Sequence, residues 1–170
     1  MKTNKTEKSL RPVDVYFNTY AESHQHPTNK LIHWICVPLI TFSLVGLVWS
    51  LPFPHLEFLG KYNGFVNWAS FLIAFSIYYY TRLSPMLSYL MLLATFLFAY
   101  FIVQLEKVEL SGGPALWQVS LVIFIISWIG QFIGHKIEGK KPSFITDLKF
   151  LLIGPIWLLH IPLKKAGIRY

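Results

Sequence analysis

The chain has 170 residues, 54% of them hydrophobic and only 14% charged, with a mean hydropathy of +0.48. Soluble domains run at about 45–50% apolar and about 25% charged residues, so this composition excludes an ordinary water-soluble domain and indicates an integral membrane protein. The net charge of +7 then reports topology and anionic headgroups rather than nucleic acid, and no zinc-finger spacing or aromatic-plus-basic RNA motif competes with that reading.

Residues 1–12 are polar and basic, with no apolar stretch behind them until Leu31. They read as a mobile cytoplasmic tail rather than a signal peptide, followed by a single membrane-embedded helical domain over 13–170. Apolar segments follow at 31–51, 65–80, 83–105 and 114–134, with a shorter one at 150–163 that carries Gly154-Pro155 in its first third. About 20 residues are needed to cross a hydrocarbon layer of ~30 Å. The first, third and fourth segments meet that length. The second is marginal, with Trp68 and Tyr78-Tyr79-Tyr80 as interfacial anchors. The fifth is too short to span comfortably and reads as re-entrant or interfacial. The expected architecture is therefore all-α: about four spanning helices plus a short C-terminal helix. Pro52, Pro54, Gly60 and Gly64 mark one external loop and Ser111-Gly112-Gly113-Pro114 the other, while Ser84-Pro85 starts the third span tightly. Cys36, the only cysteine, lies inside an apolar run and reads as a small buried hydrophobe.

Charge placement orients this arrangement. With four spans, thirteen lysines and arginines share one side, among them Arg11, Lys30, Arg82, Lys136 and Lys164, whereas the other side holds only Lys61 and Lys107. The positive-inside rule makes the richer side cytoplasmic, in a bacterial inner membrane or an endoplasmic reticulum. Letting segment 150–163 span would weaken the bias, which favours the four-span reading.

Five of the six histidines fall on that basic side: His24, His26, His33, His135 and, if the last segment is interfacial, His160. His55 falls in an external loop. His26 precedes Pro27, a natural first helical residue. On that helix Asn29 and His33 are four apart and share a face; Gln131 and His135 repeat the spacing, and Glu138 lies three beyond His135. A single interfacial histidine is as readily a polar anchor as a ligand. Several gathered at one depth favour a metal site, because ionisable groups at membrane depth are costly and often functional. Neutral imidazole suits iron, zinc, copper or nickel, and Asn29, Gln131 or Glu138 could accept a second imidazole N–H. The histidines are too few for the eight-histidine di-iron cluster of membrane desaturases, which favours a mononuclear site. Lys30, Lys140 and Lys141 are candidates for attracting an anionic headgroup or a substrate carboxylate. No phosphate-binding glycine loop, nucleophile elbow or dinucleotide fingerprint is present.

The blocks His24-x4-Asn29-x3-His33, running through Val37-Pro38 into an apolar stretch, and Gln131-Phe132-x-Gly134-His135-x2-Glu138, followed by Lys140-Lys141-Pro142 and then Gly154-Pro155, resemble the membrane-bound 2-hydroxy-fatty-acid dioxygenases. The resemblance covers roughly residues 14–160. It implies an Fe(II)-dependent enzyme of fatty-acid α-oxidation that takes a 2-hydroxy long-chain acid and O2 and yields the acid one carbon shorter. It implies His24, His33 and His135 as iron ligands, with Asn29, Gln131 and Glu138 as polar support and His26 and His160 as further ligands or substrate contacts. The family often has one more residue between the histidine and the glutamate. Competing readings are a non-catalytic membrane protein with a structural metal or anionic-lipid site and, more weakly, a metal-ion transporter, whose site would be expected near the bilayer midplane.

Overall fold

The computed structural model describes residues 10–139 and 150–170, the Lys61 side chain apart. Lys140, Lys141 and residues 1–9 of the expected tail lie outside the described residues. Among the described residues there are six α-helices and one 3-10 segment: α1 (Pro12–Glu22), α2 (Pro27–Trp49), the 3-10 segment (Glu57–Phe65), α3 (Trp68–Leu83), α4 (Pro85–Leu110), α5 (Leu116–Ile137) and α6 (Ile153–Lys165).

Local chemistry sets the boundaries. Pro27 opens α2, and the His26 ring accepts the Thr28 N–H at 3.2 Å. Asn67 and Ser70 cap α3 reciprocally, each side chain accepting from the other's backbone N–H. Ser84 ends α3 in an extended conformation and its Oγ accepts the Leu87 N–H. With Pro85 at the first position of α4, two antiparallel helices follow each other with almost no loop.

Two buried clusters define the ends of the bundle. Val13, Phe17, Tyr20, Val37, Tyr80, Leu87, Ile156 and Trp157 belong to one; Val45, Ala69, Ile102 and Leu116 form the other. Helices α2, α3 and α4 each contribute to both, and α5 runs from Leu116 in the second back to His135. The four long helices therefore run up and down between the same two layers, while α1 and α6 cap one end. Three of them, α2, α4 and α5, with 23, 26 and 22 residues, are long and apolar enough to cross a membrane. The expectation of four spans is thus met by three on length and composition. Helix α3 has 16 residues, a rise of ~24 Å, yet it joins both layers because Ala69 and Tyr80 sit in opposite clusters. Large exposed apolar side chains such as Leu31 (62%), Phe75 (62%), Leu93 (67%) and Ile126 (63%) give the bundle the outer surface of a protein solvated by lipid.

Helices α2 and α5 approach closely through small residues. A Cβ on Gly130 would lie 2.6 Å from Cys36 Sγ, and one on Gly134 would collide with Asn29 Oδ1. Small-residue contacts of this kind replace the hydrophobic effect as the packing determinant inside a bilayer. They bring the first turns of α2 against the last turns of α5, the two places where the sequence puts its histidines.

Candidate metal centre

Helix α1 was not anticipated from the sequence, yet it builds one wall of the site. Val13, Phe17 and Tyr20, spaced four and three apart, form its buried stripe. One turn after Tyr20 the chain leaves the helix, and the His24 ring folds back so that its Nδ1 meets the Tyr20 carbonyl at 2.6 Å. The same ring stacks on Tyr20, with centroids 4.0 Å apart and planes at 8°. His33 lies in the second turn of α2, its Nδ1 2.9 Å from the Asn29 carbonyl. A carbonyl only accepts, so both Nδ1 atoms carry the proton and both Nε2 atoms keep a free lone pair.

Those two Nε2 atoms are buried and have no hydrogen-bond partner. His135, from the last turn of α5, completes the group: ring centroids are 4.2 Å for His24–His33, 5.1 Å for His33–His135 and 5.4 Å for His24–His135. One ring nitrogen from each lies within 4.8 Å of the others, and all three residues are buried. Burial pushes the His24 imidazole down from 6.5 to about 4, partly opposed by the Tyr20 carbonyl, so it stays neutral at physiological pH. An unpaired buried acceptor costs about 1–3 kcal/mol. Two of them facing a third imidazole form a donor set that a single borderline metal ion would satisfy.

The surrounding polar residues hold this geometry from one step further out. Glu138, just beyond α5, accepts the Gln25 N–H at 2.7 Å, the His26 N–H at 2.8 Å and Asn29 Nδ2 at 3.0 Å. Asn29 Nδ2 also donates to the Ser23 carbonyl at 3.2 Å. The carboxylate thus fastens the loop carrying His24 to the start of α2, where the helix dipole also favours an anion. Burial opposes the charge of Glu138, but the donors outweigh it and hold its carboxyl below the usual range. Asn29 orients His33 through its backbone carbonyl rather than its side-chain amide, and Glu138 contacts loop N–H groups rather than an imidazole. Gln131 lines a cavity of about 40 Å³ with His33, His135, Tyr20, Trp128 and Gly154. Its Nε2 is buried without a hydrogen-bond partner.

The remaining candidates separate from the trio. His26 is exposed and caps α2. His160 is buried on α6, stacked on Phe17 at 4.2 Å, with Trp157 standing between it and His24. Lys30 is half-buried in the first turn of α2. His55 is 3.3 Å from the Asn63 amide in the loop between α2 and α3. Tyr20 and Trp157 were missed as site residues; the α1 stripe could have flagged Tyr20, whereas nothing local in the sequence marks Trp157.

No solved structure matches the chain. In sequence it is 29% identical over 152 residues to the 2-hydroxy-palmitic acid dioxygenase MPO1 of Saccharomyces cerevisiae, an alignment that spans 87% of this chain and 78% of the yeast protein. The family model described as 2-hydroxy-palmitic acid dioxygenase Mpo1-like matches residues 10–166, a stretch that contains all three clustered histidines and the elements that place them, and the chain belongs to this Mpo1-like family.

Proposed function

We propose that this protein is an Fe(II)-dependent dioxygenase of fatty-acid α-oxidation, which shortens 2-hydroxy long-chain acids by one carbon, with His24, His33 and His135 as the iron ligands. The observation that carries the proposal is the pair of buried, unpartnered Nε2 atoms of His24 and His33 beside His135. Three imidazole ligands leave coordination positions open for exogenous ligands, and iron fits a reaction with O2 better than zinc, which has no redox chemistry. When bound, iron would supply a centre at which O2 and a 2-hydroxy carboxylate meet.

The chain's own residues would do the rest. The Tyr20 and Asn29 carbonyls fix the imidazole tautomers, and Glu138 holds the His24 loop against α2. The apolar walls around the cavity, Val37, Ile40 and Leu151, would exclude bulk water from the reacting carbons. Gln131 Nε2, buried without a hydrogen-bond partner, would donate to the substrate's carboxylate or hydroxyl. Lys30, with Lys140 and Lys141, would attract the carboxylate from the cytoplasmic interface. The overall balance is one 2-hydroxy acid and one O2 giving the shortened acid, CO2 and water.

The test is metal analysis of anaerobically purified protein together with product analysis on 2-hydroxypalmitate. The expected result is about one iron per chain and O2-dependent pentadecanoate. No oxygen uptake and no shortened acid with several 2-hydroxy acids would sink the proposal. His135→Ala that abolishes turnover with expression and melting unchanged speaks for catalysis; loss of folding instead speaks for a structural metal.

A further inference from the structure

A second space adjoins the cavity at the histidines. Leu151 forms part of its wall and part of the wall of a second cavity of about 50 Å³ between α2, α3 and α4. Ile73 and Thr95 in turn line both that second cavity and a groove of about 850 Å³ between α3 and α4. Three spaces thus follow one another, divided only by the side chains they share, from the buried imidazoles to the flank of the bundle.

Thr41, Ser76 and Thr95 line the second cavity, and each turns its hydroxyl back onto its own helix. Thr41 donates to the Val37 carbonyl at 2.9 Å, Ser76 to Leu72 at 2.8 Å and Thr95 to Leu92 at 2.9 Å. Each of these three hydroxyls is satisfied on its own helix, so these small side chains turn hydrocarbon towards the second cavity. Phe96 and Tyr100 on the groove are 66% and 59% exposed, which opens it laterally. Its far end is closed by Trp49 Nε1 donating to Glu106 Oε1 at 2.9 Å. From His33 to Val45, alongside this path, α2 rises ~18 Å, close to the ~15 Å that half a bilayer's hydrocarbon gives one acyl chain.

We propose that the acyl tail of the substrate runs from the histidine cluster past Leu151, Ser76 and Ile73 into the groove between α3 and α4, and that Ser76 and Ile73 set the accepted chain length. This rests on the reading of the substrate as a 2-hydroxy fatty acid. A competing branch of about 110 Å³, walled by Trp34, Pro38 and Pro155, leaves the second cavity at Thr41 and Met91. Its smaller volume suits a long tail less well than the groove.

The direct test is photocrosslinking of the full-length protein with 2-hydroxypalmitate bearing a diazirine at its terminal carbon. Labelling is expected on the groove walls, at Ile77, Leu92 or Phe96, and is expected to be displaced by unlabelled 2-hydroxypalmitate. Labelling at Trp34 or Pro155, or labelling that excess acid does not displace, overturns the path. A second test uses Ile73→Trp and Ser76→Trp. The ratio of turnover on 2-hydroxypalmitate to that on 2-hydroxydecanoate should fall about tenfold or more, with bound iron unchanged; an unchanged ratio in folded, iron-loaded variants counts against the path. Displaceable groove labelling without turnover of any acid would leave the path standing and remove the proposed activity, so the two can fail separately.

Discussion

A metal-binding histidine usually donates its other ring N–H to an acceptor, and for His24 and His33 the acceptors are main-chain carbonyls. Tyr20 and Asn29 each lie four residues before the histidine they orient, so the turn that positions the ring also selects its tautomer. Glu138 then decides where the His24 loop sits. Glu138→Ala removes the acceptor of three donors and is expected to weaken iron binding ~10–100-fold while leaving the helical signal unchanged; metal titration with circular dichroism checks it, and unaltered affinity would contradict it. His24 adds a pH dependence. Its folded value is pushed below 6.5 to about 4, mainly by burial, so between those values the unfolded chain takes up a proton that the folded protein does not. His24 therefore contributes full stability above about pH 6.5 and loses it as pH falls towards 4. Melting temperatures of metal-free protein should be level from pH 7 to 8 and fall below pH 6.5; a rise on acidification would refute the sign. At this scale much was legible in the sequence. His24 and His33 stand out because they bracket the start of the first long apolar run, His135 because it closes the fourth, and Asn29 because it lies one turn from His33. The bonds from Glu138 to residues 25 and 26 were not, because more than a hundred residues separate partners whose meeting depends on tertiary packing.

Between elements, the pairing of α2 with α5 joins two halves of the site that are a hundred residues apart in sequence. Glycine makes the approach possible: Gly130 receives Cys36, and Gly134 receives Asn29. Gly130→Ala should gain up to about 1 kcal/mol in helix propensity and lose about 1–3 kcal/mol to the clash with Cys36 Sγ. Adding Cys36→Ala should remove the clash and keep the propensity gain. Thermal unfolding of the two single variants and the double variant measures the coupling, and strict additivity would show that the contact is not the cause. The apolar segments at 31–51, 83–105 and 114–134 could be read directly, since length and hydropathy decide a span. Helix α1 could not be read as easily: it is amphipathic, only 11 residues long, and buries one narrow stripe. The rotation of α3 and α4 about their axes, which opens the groove between them, is set by packing and leaves no simple sequence pattern.

For the molecule as a whole, four up-and-down helices bring the start of α2 and the end of α5 to the same end, which α1 and α6 cover. The positive-inside rule predicts that this end faces the cytoplasm. In a Cys36→Ala background, a cysteine at Ser111 should react with an impermeant maleimide added outside intact cells, and one at Ser23 should react only after permeabilisation; the reverse pattern would invert the orientation. The proposed activity would have His24, His33 and His135 hold an iron that supports the oxidation of a 2-hydroxy acid by O2. Its most direct test is turnover of 2-hydroxypalmitate by the iron-loaded protein under oxygen-18 gas. The expected product is pentadecanoate carrying one labelled oxygen in its carboxylate, with no such product from His135→Ala. Unlabelled pentadecanoate, or equal turnover by metal-free protein, would contradict it.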